Sequence, residues 1–358
     1  MRENIDTIFK RMEALWQGEI LDRCCISVTA PKDPLHPYHA QAPKTQEELR
    51  RWYLDGEWVL KRNLERIEKT YFAGDALPNI FPYVGTGGHA KYVCDPSKVE
   101  YSPETVWIHP SIEDYETFSF AFDPETNPVF QEELKLLSYL ADEADGRYFV
   151  GMPDNCGSYD ALAQLRGNEE LLMDFITDPE PVKEAAHALM DILHVTNERF
   201  FAAIRENCKD GSVHSWMNLW APGKIMQLQC DLSVMISNEL YKEFIVDELE
   251  TTSSRLDHAM YHLDGMEQIR HLDDILAVPD IHMIQWTQVA GQPAAEHFIP
   301  QLKKIQAGGK GIVLVISKNQ VQPLLESLSP GGLNLVVTDA KSPDEADRIV
   351  ALAERLSK

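Results

Sequence analysis

Positive charge is scarce in this chain: 33 Lys and Arg stand against 57 Asp and Glu in 358 residues, a formal net charge of −24. Such a field repels phosphate backbones and anionic headgroups, which excludes nucleic acid and acidic membrane surfaces as favoured partners. Long apolar runs are also missing; none approaches the roughly 20 residues a bilayer-spanning helix needs. The first residues, "MRENIDTIFKRMEALW", lack the apolar region of a secretory signal, so a cytoplasmic location is expected. The six cysteines (Cys24, Cys25, Cys94, Cys156, Cys208 and Cys230) form no CxxC pair and no framework spacing. That argues against a disulfide scaffold or a zinc ribbon and leaves buried, reduced thiols. No internal repeat, low-complexity tract, linker or glycine-rich GxGxxG turn interrupts the chain.

What is present is a hydrophobic fraction of 44%, enough for a substantial core. The first 22 residues read as an amphipathic helix with Ile5, Ile8, Phe9, Met12 and Leu15 on one face. Residues 23–146 are mixed: the runs "CCISVT" and "TYFAGDA" read as strands, and "TQEELRRWYLDGEWVLKRNLERIEK" reads as one helix opened by a Thr45–Glu48 capping box. A Pro-rich, aromatic stretch follows. From residue 147 to 358 short apolar runs ("RYFVGMP", "SVHSWM", "MQLQC", "AMYHLD", "HMIQW", "GIVLVIS", "LNLVVT") alternate with helical segments. The last of these helices opens at Ser342 with Pro343 in the first turn. Strand–helix alternation of this kind predicts parallel strands, and the runs suffice for an eight-stranded (β/α) TIM barrel forming one domain.

A barrel collects its chemistry at the C-terminal ends of its strands. Those ends offer Asp75; Asp154 and Asn155; Trp216, Asn218 and Trp220; Gln229 and Asp231; His262 and Asp264; Trp286; Ser317 and Lys318; and Asp339. Capping of the following helices is the alternative role for Asp154, Asn155 and Ser317. Within "AMYHLDG" the alternation of an extended strand turns His262 and Asp264 to one face. They are read as either metal ligands or a hydrogen-bonded acid–base pair. Tyr83, Trp107, Trp216, Trp220 and Trp286 are candidates to line a flat apolar slot, with some of them expected in the core.

At "QCDLSVMISNELYKEFIVDELE" and then "YHLDG" the sequence resembles the uroporphyrinogen decarboxylase superfamily. "GDALPNIFPYVGTGG" resembles its early Asp-bearing strand, and "GSYDALAQLRG" resembles a helix that follows. The resemblance runs in order over residues 20–358 and implies that superfamily's barrel. It also implies one of two activities: cofactor-free decarboxylation of a cyclic tetrapyrrole, or methyl transfer involving a corrinoid protein. Members that methylate coenzyme M carry a His-x-Cys zinc motif with a distant second Cys. His262 falls on that His, Asp264 on the first Cys and Asp339 near the second, so the implied ligand set is His262, Asp264 and Asp339, with zinc as its metal.

Loss of both thiolates makes coenzyme M a poor expectation, since thiolate ligands suit activation of a bound thiol. A tetrapyrrole with eight carboxylates demands arginines, yet "CCISVTAPKDPLHPYHAQAPK" has none, and the other cavity candidates are acidic. The expectation is therefore a demethylating methyltransferase. It would move a methyl group from a small methoxylated or methylated compound to a corrinoid (cobalamin) carried by a partner protein, with His262, Asp264 and Asp231 catalytic. Asp75, Tyr83, Asp154, Asn155, Trp216, Trp220, Gln229 and Trp286 would bind the substrate. A lyase acting on another small carboxylated substrate and a non-catalytic binding protein remain the alternatives. The pattern does not separate a monomer from a homodimer.

Overall fold

The computed structural model describes residues 4–357; Met1–Glu3 of the first helical stretch and Lys358 of the last lie outside the described residues. The strands are β1 Cys25–Pro31, β2 Thr70–Gly74, β3 Asn79–Ile80, β4 Val99–Tyr101, β5 Val106–Ile108, β6 Phe149–Val150, β7 Gly211–His214, β8 Leu219–Pro222, β9 Ile225–Leu228, β10 His258–Asp264, β11 Ile281–Thr287, β12 Gly311–Ile316 and β13 Leu333–Val337. Seven of them make one sheet in the order β2-β1-β13-β12-β11-β10-β9. Every neighbouring pair in it is parallel except β1 and β2.

Parallel strands need crossover connections, and helices supply them. Pro343–Leu356, capped by the Ser342 side chain, packs on β1 and β2. The longest, Pro179–Ile204, leads into β7. One hydrophobic core runs from Ile8 to Ala353. No described helix is long and apolar enough to cross a membrane.

The continuous ladder stops at β9. Beyond it, β3 pairs with β6 in parallel, and β7 forms an antiparallel hairpin with β8. Isolated contacts join these pieces: Gly151 N donates to Ile80 O at 2.9 Å, Met152 N to Val213 O at 2.9 Å, and Ile225 N to Ser212 Oγ at 2.8 Å. Pro82 and Pro153 follow β3 and β6 within three residues and have no N–H to extend either ladder.

Helix α1, Ile5–Trp16, starts at Asn4, whose side chain accepts from Asp6 N at 3.0 Å. Its buried face (Ile8, Met12, Leu15, Trp16) is the predicted one, and Phe9 stacks on Trp220 with ring centroids 4.3 Å apart. The single helix expected from Thr45 is instead two, α2 Gln46–Leu54 and α3 Gly56–Lys69. Asp55 breaks it: its backbone is extended and its side chain caps Trp58 N at 3.2 Å, starting a new helix in a new direction.

Candidate active site

The parallel register of β10 and β11 sets the centre of the site. His262 lies opposite Gln285 and Asp264 opposite Thr287. All four side chains share the inward face, because alternate residues of a strand point the same way. Nδ1 of His262 meets Oε1 of Gln285, and Thr287 Oγ1 lies 3.2 Å from the same nitrogen. A carbonyl oxygen only accepts, so Nδ1 carries the proton and Nε2 is left on the side of Asp264. Asp264 Oδ1 stands 4.0 Å from Nε2, an electrostatic neighbour beyond hydrogen-bond reach.

Gly265 then ends the strand at φ +78°, a conformation that favours glycine, and a Cβ there would meet Gln292 Oε1 at 2.6 Å. The turn that follows folds Gln268 back. Its Oε1 accepts from Asp264 N at 3.0 Å and its Nε2 donates to Cys230 O at 2.9 Å. The ends of β10 and β9 are thereby clamped together.

The neighbouring wall is acidic. Gln229 Nε2 donates to Asp231 Oδ2 at 3.2 Å, and Gln229 in turn accepts from Gln227. Asp231 is solvent-exposed at the start of the turn that follows β9. Burial pushes its carboxyl above the usual range, the His262 ring offsets this and Asp264 adds to it, so the three groups lie within mutual electrostatic reach. Asp154 is held up at about 7, chiefly by burial and further by the Asp231 charge. Asn155 Nδ2 donates to Gln227 O at 2.9 Å, tying this loop to β9.

Trp216, half-buried after β7, packs edge-on to His262 at 5.8 Å and to His214 at 5.3 Å. Burial pushes His214 down to about 3, so it is neutral at physiological pH. His214, Gln227, Asp154 and Asn155 border a small pocket of about 30 Å³, enough room for ordered water. On another side Trp216 lines a cavity of about 310 Å³. Tyr83 packs on Phe81 at 5.4 Å; burial raises its phenol, with a further push from Asp154, and its hydroxyl pairs with Thr105 Oγ1 at 2.9 Å.

Other sequence-predicted residues are placed elsewhere. Asp75 is fully buried and held by Arg11, by Arg23 Nη1 at 2.6 Å and by Ile26 N at 2.8 Å. Since β2 runs antiparallel to β1, with Gly74 opposite Ser27, its C-terminal end falls at the N-terminal rim of the sheet, away from the site. Trp220 belongs to that rim as well, buried beneath α1 with its Nε1 donating to Cys208 O at 2.9 Å. Trp286 pairs with Leu263 rather than His262, so it faces outward and packs on Phe298 at 5.0 Å. Trp107 projects from the β4–β5 hairpin and is 56% exposed.

Asp339 accepts from Lys318 N at 2.9 Å, capping the turn after β12. Among the described residues no three His, Cys, Asp or Glu gather as a metal-binding set. His262, Asp264 and Asp339 therefore do not form the expected zinc site.

Several participants were not anticipated. Gln285 and Thr287 follow from strict two-residue alternation along "HMIQWTQ", which separates them from Trp286. Asp160, in the first turn of helix Ser158–Arg166, accepts from the N–H groups of Asp231 and Leu232, both at 2.9 Å, and so positions Asp231. Burial and the Asp231 charge lift it to about 8. A carboxylate in a first helical turn reads as a dipole partner in sequence, which concealed this role.

No protein-family model matches the chain, and no curated protein matches it in sequence. Among solved structures, a methyltransferase from Methanosarcina mazei matches it at a TM-score of 0.59 and 11% identity, over 98% of this chain and 99% of that one. The shared element is the fold: a mixed α/β architecture around a mostly parallel sheet, preserved from end to end at low sequence identity.

Proposed function

We propose that the protein is a methyltransferase of the uroporphyrinogen decarboxylase superfamily type, on a (β/α) barrel, removing a methyl group from a small methoxylated or methylated compound. The observation that carries this reading is the proximity of Asp231, His262 and Asp264 after β9 and at the end of β10, with Trp216 packed against His262. The fold-level likeness to a methyltransferase supports it. A corrinoid on a partner protein would supply the low-valent nucleophile that accepts the methyl group.

The residues of this chain handle the departing group. As the methyl–oxygen bond breaks, its electron pair stays on oxygen, and a proton from Nε2 of His262 neutralises the developing anion. The donor is the imidazolium form of the ring, with Asp264 and Asp231 as its acidic neighbours, and Gln285 holds the ring plane. Trp216 offers a flat surface to the methylated portion of the substrate, and positioning contributes much of the rate of an in-line transfer.

A lyase acting on a small carboxylated substrate is the second reading. It is favoured by Asp154, a carboxyl retaining its proton up to about pH 7 beside Asp231. A cyclic octacarboxylate is disfavoured in either case by the acidic wall. The deciding experiment follows methyl transfer from candidate methyl ethers and methylamines to reduced cobalamin, free or on a small corrinoid-binding protein, by visible absorbance. Methylation that disappears in His262→Ala supports the proposal. Release of carbon dioxide without methylation supports the lyase.

A further inference from the structure

The cavity of about 310 Å³ beside Trp216 has a character that the acidic wall does not share. Its lining includes Phe72, Phe81 and Trp216, and one cation, Arg66, with Asn63 next to it. In a chain with net charge −24 a half-buried guanidinium would be expected to hold a carboxylate. Among the described residues none pairs with Arg66. Its Nε donates to Asn63 Oδ1 at 3.3 Å and its Nη2 to the Asn79 carbonyl. Both partners are neutral, and a guanidinium has five N–H donors. Burial depresses its pKa, as expected of a cation whose surroundings lack a compensating anion.

A second polar group, buried in the wall, borders the same space. Ser27 on β1 lines the cavity, is 1% exposed, and its Oγ has no hydrogen-bond partner. A buried hydroxyl left unpaired costs about 1–3 kcal/mol, so such groups normally have a protein, water or ligand partner. Aromatic side walls, a forked cation and an unpaired hydroxyl together make a site with a polar end and a flat apolar body. That is the usual composition of a small-molecule pocket, and its volume lies at the small end of the range for one.

We infer that this cavity is the substrate chamber and that the substrate is a small organic carboxylate, its carboxylate gripped by Arg66 with Ser27 as a further donor. This rests on the methyl-transfer reading above and specifies its substrate class. The guanidinium fork matches the two oxygens of a carboxylate, which a lysine would meet only as a point charge. The body of the substrate then extends between Phe72 and Phe81 toward Trp216, which also packs edge-on to His262.

The test is calorimetric binding to the full-length protein at pH 7, with 4-methoxybenzoate, methoxyacetate, neutral 4-methoxybenzamide and inorganic phosphate as probes. At least one carboxylate is expected to bind, with the amide at least tenfold weaker than its benzoate. Arg66→Met should abolish that preference, Arg66→Lys should retain part of it, and Ser27→Ala should weaken binding several-fold. Equal binding of amide and benzoate by the unaltered protein overturns the inference, whatever the variants do. So does unchanged affinity in Arg66→Met, preferential capture of phosphate, or failure of every carboxylate to bind at millimolar concentration. Binding is read without corrinoid or turnover. Arg66-dependent binding without methyl transfer would therefore refute the reaction and keep the substrate class, and the opposite pattern would refute only the anion site.

Discussion

His262 on β10 and Gln285 on β11 face each other across adjacent parallel strands, and the carboxamide oxygen of one holds Nδ1 of the other. The pairing selects the tautomer and leaves Nε2 on the side of Asp264. Gln285→Leu removes the acceptor while keeping much of the volume. Methyl transfer is expected to fall about 10- to 100-fold, because an acid that is no longer oriented donates poorly. The ring-nitrogen NMR signals of His262 should report loss of the single Nδ1–H tautomer in this variant. A purely structural role for Gln285 would leave the tautomer in place.

Replacing His262 and Asp264 singly and together tests whether they act as a unit. Each alanine substitution should cost nearly as much activity as the pair, as catalytic constellations are strongly non-additive. Thermal melts should change little, since both side chains border open space, with 14% and 34% exposure. Additive losses would separate their roles.

Asp75→Ala is the opposite case. It strips the shared carboxylate from Arg11 and Arg23, both almost fully buried. Asp22 still holds Arg11 at 2.7 Å, but the buried anion shared by the two guanidinium groups is gone, and the expected loss of stability is about 3–5 kcal/mol. Denaturant titration measures it. A loss below about 1 kcal/mol would show that the two guanidinium groups find other partners.

The two tryptophans of the β7 and β11 strand ends should separate in the same way. Trp286→Ala opens a hole in the core beside Phe298 and should cost about 3–5 kcal/mol. Trp216→Ala should leave the melt nearly unchanged and raise KM, because that ring lines the cavity. The paired measurements are unfolding and steady-state kinetics.

Stability should also fall as pH rises toward neutrality. Asp154 and Asp160 have folded-state values of about 7 and 8, far above those of an unfolded chain, so the folded state binds more protons in the window between. Their contribution is fully present below about pH 4 and is lost as pH climbs through 7 and 8. A melt series from pH 5 to pH 8.5 should show this slope, and Asp154→Asn should flatten it by roughly one proton's worth.

Most of the strands and helices after residue 147, the amphipathic first helix and the cap at Ser342 were legible in the sequence, whereas strand β8 and its antiparallel hairpin with β7 were not. Each depends on local spacing: period two, period 3.6, or one side chain reaching its own next turn. The shared face of His262 and Asp264 is of this kind, and so is the position of Asp231 at the end of its run. Other features were decided only by tertiary structure. Whether β2 runs with or against β1 is not written in "TYFAGDA", and that one choice sent Asp75 to the opposite rim as a structural anchor. The cross-strand register that seats Gln285 against His262, and so turns Trp286 outward, depends on two segments whose alignment neither specifies alone. The same holds for Arg66, which reads as an ordinary surface cation on the polar side of a helix. Only the packing of α3 against the sheet gives it a cavity, an unpaired Ser27 for company and no acid to neutralise it. Local periodicity fixes which way a side chain points from its own element, and the long-range pairing of elements fixes what it meets there.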